Sequence, residues 1–133
     1  MSKTNYADMR GFADGSFSLI QEHVGQETAV TATGNIKGRK EFDLAMQPLQ
    51  LSAEVTVALS GTGSLEYRKS DDTVMATLAL TSGTAAGTIL TASTIVSADD
   101  IDVGEIGKFY VATACDAGSI IPVLKFVEKF KNE

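Results

Sequence analysis

Two side chains in this sequence have the type to act as nucleophile and base, and each occurs once: Cys115 and His23. A thiolate attacks only where a neighbour lowers its pKa, and an imidazole activates it only within hydrogen-bond reach. Nothing flanking either residue supports such a pair. Cys115 lies in an apolar run and reads as a small core residue. His23 reads as a surface histidine. A single histidine also excludes a metal site built on several imidazoles. One cysteine excludes an internal disulfide.

Carboxylates are the remaining candidates. Asp99, Asp100, Asp102 and Glu105 crowd one stretch, and hard cations such as calcium take such oxygen ligands. The spacing is not that of an EF-hand loop, so a solvated acidic loop is the simpler reading. Asp71 and Asp72 are adjacent, whereas a glycosidase pair must face across roughly 5–10 Å. They read as turn formers. No G-x-S-x-G elbow occurs. The Gly61-Thr62-Gly63 and Gly83–Gly87 segments lack the Lys-Ser/Thr of a phosphate loop. The chain contains no tryptophan, so a sugar-stacking platform would rest on Tyr6, Tyr67 or Tyr110. Tyr67 and Tyr110 lie in alternating strands, where half-buried packing is the simpler role. These readings point away from an enzyme and name no cofactor.

The elements that would position these residues are strands. Leu51, Ala53, Val55, Val57 and Leu59 alternate with Ser52, Glu54 and Thr56, the mark of a strand with one wet face. The stretch from Gln50 to Leu80 reads as a three-stranded antiparallel meander. Its turns fall at Gly61-Thr62-Gly63 and Ser70–Thr73. Thr88–Val96, Lys108–Cys115 and Ser119–Val127 read as further strands, the last two joined in a hairpin by Asp116-Ala117-Gly118. Pro122 cannot donate to a ladder, which predicts an edge or irregular last strand. Phe17–His23, Thr28–Thr33 and Glu41–Met46 are short strand candidates, and Asp14-Gly15 is a hairpin signal. Val127–Glu133 reads as a helical turn or frayed end. About eight strands in 133 residues predict an all-β jelly roll or β-sandwich. The expected organisation is an N-terminal arm with a first hairpin over residues 1–27 and a sandwich over 28–133.

Net charge is −6, from 17 acidic and 11 basic residues. Phosphate binding needs clustered Lys and Arg, and the densest basic group, Lys37, Arg39 and Lys40, reads as a solvated turn. No nucleic-acid partner is expected. No apolar run nears the ~20 residues of a spanning helix, and the N-terminus has no apolar signal core. A soluble protein made in a cytoplasm, without a membrane partner, is expected.

The order of segments from Ala29 to Phe126 resembles a known family. It runs from a Thr/Ala-rich strand (Thr28–Thr33) to a valine-rich strand (Leu51–Leu59), then Gly63-Ser64-Leu65 and Ser70-Asp71-Asp72. An Ala/Thr/Gly-rich stretch (Thr81–Thr94), the aromatic strand Lys108-Phe109-Tyr110-Val111 and a Gly118 turn into a closing strand complete it. This resembles the jelly-roll cement, or decoration, proteins of tailed bacteriophage heads, in particular those of Bordetella-type podophages. Lys108-Phe109 departs from the family's arginine before the tyrosine, and Met1–Glu27 has no counterpart.

The resemblance implies a homotrimer on the capsid exterior, clamping capsomers of the major capsid protein. By this analogy Tyr6, Met9 and Phe12 in the N-terminal arm would make the intersubunit contacts. A tail-tube or connector subunit is the alternative within virion parts. A carbohydrate-binding or adhesin module is the alternative from another class, and a small β-scaffold hydrolase is the third.

Overall fold

The computed structural model describes residues 18–92 and 101–129. Ten strands run in chain order: β1 (Ser18–Val24), β2 (Thr28–Ala29), β3 (Gly34–Asn35), β4 (Lys40–Glu41), β5 (Ala45–Ser60), β6 (Gly63–Lys69), β7 (Val74–Leu80), β8 (Ile89–Ala92), β9 (Ile106–Thr113) and β10 (Ala117–Lys129). They form two antiparallel sheets. The first has the order β1-β10-β5-β8, with β2 also on β10. The second has the order β3-β9-β6-β7, with β4 also on β9.

Because β1 and β2 share one side of β10, and β3 and β4 one side of β9, each pair acts as one interrupted strand. Eight strands in two four-stranded layers result, and their order is that of a jelly roll. The predicted fold class holds.

Alternation explains the packing. In β5, Leu51, Ala53 and Val55 point inward. Leu124 and Ile120 of β10 join them, facing Leu65 and Tyr67 of β6, Leu78 of β7 and Phe109 and Val111 of β9, all buried. Each fully buried large apolar side chain contributes about 1.5–3 kcal/mol relative to exposure. One end of the core is closed by Phe42, whose ring meets Phe126 edge-on at 5.1 Å.

Two predicted turns are something else. β5 and β6 belong to different sheets, as do β9 and β10, so neither Gly61-Thr62-Gly63 nor Asp116-Ala117-Gly118 closes a hairpin. The expected meander is only the pair β6–β7, turned by Ser70–Thr73. Both corners instead carry the chain from one sheet to the other, and they do so side by side. The Asp116 amide donates to the Ser60 carbonyl at 2.6 Å. A Cβ on Gly61 would meet Asp116, one on Gly63 would meet the Cys115 sulfur, and one on Gly118 would meet Leu59. A two-stranded ribbon, β5–β6 against β9–β10, bends as a unit here, and the glycines let the two backbones touch.

The strand of Pro122 is irregular, as expected, with register shifts against β5 on either side of the proline, but it is not at an edge. Pro122 faces Ala53 across β5 in the central strand β10. Its carbonyl accepts from the Gly25 amide at 2.8 Å. The carbonyl and amide positions of one strand residue point to the same side. The missing donor therefore faces the break between β1 and β2, where the ladder is interrupted. In the final segment Val127–Lys129 continue β10 against β1 and β5 rather than turning into a helix, and residues 130–133 lie outside the described residues.

Candidate interaction surface

The two outer faces of the sandwich differ in chemistry. On the second sheet, Glu66, Arg68, Lys108 and Tyr110 form a closed polar network. The Arg68 guanidinium lies 2.6 Å from Glu66 and stacks on the Tyr110 ring at 3.7 Å from its centre. Lys108, buried along its stem, reaches Asp72 at 2.7 Å. The hydrogen bond and charge of Lys108 hold the Asp72 carboxyl below its usual pKa. Asp72 takes a left-handed φ of 70°, which Asp tolerates better than most residues. This turn places its carboxylate over the sheet. These four charged side chains, Glu66, Arg68, Asp72 and Lys108, satisfy one another.

The first sheet presents an apolar stripe to solvent. Ile20 and Val24 of β1 are 66% and 54% exposed. They stand directly opposite Val127 and Val123 of β10, both half-buried and outward, and Ile121 continues the row. Between the two apolar pairs sits one opposite-charge pair, Glu22 across from Lys125. At the far edge of the same face, Ile89 is exposed as well. Scattered exposed apolar residues are ordinary; here two apolar pairs flank one charge pair on a single sheet face, which makes this face the candidate surface for contact.

Beneath the stripe lies a polar core site that the sequence reading missed. His23 is 6% exposed, not a surface residue. Its Nε2 bonds the Gly38 carbonyl, and its Nδ1 lies 2.8 Å from the Tyr67 hydroxyl. A carbonyl only accepts, so Nε2 carries the proton and Nδ1 accepts from Tyr67. The Phe109 ring lies 4.7 Å from the imidazole. Burial lowers the His23 pKa. The Gly38 bond opposes that shift and the Lys40 charge adds to it. Tyr67 is fully buried rather than half-buried, and that burial pushes its hydroxyl pKa above the usual value. The one available signal was parity, which puts His23 on the face of Phe17 and Leu19.

Cys115 is buried, as expected, and burial raises its thiol pKa. It is not among the contacts of His23. Asp71 caps its own turn, accepting from the Thr73 amide at 3.0 Å. Of the proposed calcium ligands, Asp99 and Asp100 lie outside the described residues. Asp102 and Glu105 close a turn. The Glu105 amide donates to the Asp102 carbonyl at 3.0 Å, and the Glu105 carboxylate accepts from the Asp102 amide at 2.8 Å. Gly104, with φ 86°, supplies the positive φ that this type II turn needs. Among the described residues no three His, Cys, Asp or Glu side chains gather as a metal group. The expected interface residues Tyr6, Met9 and Phe12 also lie outside the described residues.

No family model matches the sequence, and no curated protein matches it. Among solved structures, the fold is similar to a chain of the infectious bursal disease virus Gx strain, with a TM-score of 0.43 and 13% identity over 87% of this chain. It is also similar to a mutant VP2 protein of that virus in derived T=1 particles, with a TM-score of 0.23 and 11% identity over 89% of this chain. This chain spans 33% and 41% of those two chains. The likeness is distant.

Proposed function

We propose that this chain is a structural protein of a virus particle, a decoration protein that assembles as a homotrimer on the capsid exterior and bridges capsomers of the major capsid protein. The observation that carries this reading is the apolar stripe of Ile20, Val24, Val123 and Val127 on the outer face of a rigid jelly-roll sheet. On the second sheet Glu66, Arg68, Lys108 and Asp72 pair with one another, and among the described residues that face offers no equivalent row. A flat, sheet-borne apolar row fits a protein surface better than a small ligand, which needs concavity. Covering it releases water from four β-branched side chains that have little rotamer freedom to lose.

Oligomerisation is part of the same reading, because among the described residues β1 and β8 end the first sheet, and sheet edges must be covered or blunted. The test is quantitative mass spectrometry of virions purified from the source of this sequence. A fixed ratio of this chain to the major capsid protein is expected. Its absence from particles, or a variable trace amount, overturns the proposal. Light scattering of the purified chain checks the trimer: a strict monomer at high concentration contradicts it.

A further inference from the structure

The outward residues of β1 and β10 stand in three cross-strand rows: Ile20 with Val127, Glu22 with Lys125, and Val24 with Val123. Successive rows are two residues apart, so their side chains share one face. The two outer rows are apolar and β-branched, and they lose little rotamer freedom when covered. The middle row carries one charge of each sign, and both of its side chains are exposed. Among the described residues the ion pairs are Arg68 with Glu66, Arg68 with Asp72, and Lys108 with Asp72. Glu22 and Lys125 are opposite in register but are not closed on each other as those are.

This arrangement is its own complement. Two sheets packed face to face lie about 10 Å apart, with their strands within about 30° of each other. A two-fold axis between two such faces, parallel to the strands and midway between β1 and β10, sets each row on itself. β1 of one copy then lies over β10 of the other. Ile20 meets Val127 of the second copy, and Val24 meets Val123. Glu22 meets Lys125 of the second copy, and the symmetry repeats that contact, so two opposite-charge contacts form at the centre. The twist between the sheets displaces this central row least. An axis across the strands would instead set Glu22 on Glu22 and Lys125 on Lys125. Charge therefore selects one of the two symmetric pairings.

We infer that this face binds a second copy of the chain about that two-fold axis, with Glu22 of each copy on Lys125 of the other. Such isologous contacts are the commonest kind in homo-oligomers. The contact is two strands wide, smaller than a permanent interface, so it forms and dissociates with concentration. It does not rest on the proposed function. It doubles whatever unit other surfaces build, a trimer included, and a particle would compete for the same face.

Sedimentation equilibrium of the full chain tests this, in about 0.15 M salt to screen the net charge of −6. The wild-type mass is expected to double between about 10 µM and about 1 mM, the range of weak association. Glu22→Lys alone and Lys125→Glu alone each set like charges together across the axis. Each is expected to associate at least tenfold more weakly than wild type. Mixed in equal amounts, the two variants face each other with opposite charges at both central contacts. Association of the mixture is expected to return to within threefold of wild type. No defect within single chains can produce that recovery, because each chain keeps its own mismatched row. A wild-type mass that stays constant, variants that associate like wild type, or a mixture no tighter than its components overturns the proposal. The measurement uses no particles, so the pairing can fail while the capsid reading stands, and the reverse.

Discussion

His23 on β1 and Tyr67 on β6 are joined at 2.8 Å between imidazole Nδ1 and phenol oxygen, a polar tie between the two sheets inside a core that is mostly apolar among the described residues. The tie fixes β1, which carries half of the exposed stripe, against the second sheet. Gly107 allows it, because a Cβ there would overlap the Tyr67 hydroxyl.

The tie makes stability depend on pH. Burial lowers the folded-state pKa of His23 below the ordinary imidazole value of about 6.5, with the nearby Lys40 charge in the same direction. In the unfolded chain the imidazole begins to take a proton near pH 6.5, while the folded one resists. The unfolded state therefore binds more protons below that pH, and stability falls as pH falls. The loss begins near pH 6.5 and stops once the folded His23 is itself protonated. Thermal melts between pH 7.5 and 5 should show a decline in Tm that is shallower in His23→Gln. Parallel slopes in the two proteins would refute the assignment.

Removing the hydroxyl alone should be costly. Tyr67→Phe leaves Nδ1 without a donor in a buried site, an expected loss of about 1–3 kcal/mol. Gly107→Ala forces the tyrosine away and should cost a similar amount, about 1–3 kcal/mol from overpacking. Urea denaturation measures both. If the double variant Tyr67→Phe/Gly107→Ala loses as much as the sum of the singles, the two residues are not coupled.

The paired corners give a third expectation. Gly118 has φ 123°, and a Cβ on it would press on Leu59 and the Ala58 carbonyl. Gly118→Ala should destabilise by about 1 kcal/mol or more, from strain plus overlap. Gly83, with a left-handed φ of 86° but open space around it, should suffer from strain alone. Chemical denaturation of the two alanine variants should therefore rank Gly118→Ala as the worse. The reverse order would mean that the corners are not packed as described.

Glu105 already accepts from the Asp102 amide, so this acidic turn gains little from a cation. Calcium in the millimolar range should leave Tm unchanged. A rise of several degrees, abolished in Glu105→Gln, would restore the acidic stretch as a binding site.

Individual strands were legible in the sequence because period-two alternation is a property of each strand alone. Val74–Leu80 and the Asp71-Asp72 turn are examples, read as they stand. Which sheet a strand joins is not encoded locally. Gly61-Thr62-Gly63 and Asp116-Ala117-Gly118 carry ordinary turn residues. Their use as sheet-crossing corners depends on each other, some 55 residues apart. Of the two expectations for Pro122, the irregular strand is met, since β10 shifts register against β5, and the edge is not, for a related reason. The proline's missing donor is harmless because Gly25 breaks the neighbouring strand, a fact about β1 and β2 rather than about β10. His23 was hidden by β1 itself, which bears apolar residues on both parities, so no face could be named inward. The stripe was hidden by the same ambiguity.

The claim that the outer face of the first sheet is the contact surface is tested most directly by co-sedimentation with purified particles lacking this chain. Three full-length proteins are compared: wild type, Ile20→Lys/Val24→Lys, and Ala79→Lys on the exposed edge of the second sheet. Surface changes of this kind should shift stability by only about 0.5 kcal/mol, which a melt verifies. Wild type and Ala79→Lys should saturate the particles equally, and Ile20→Lys/Val24→Lys should bind at least tenfold more weakly. Undiminished binding by the stripe variant, or binding lost only with Ala79→Lys, would contradict the account.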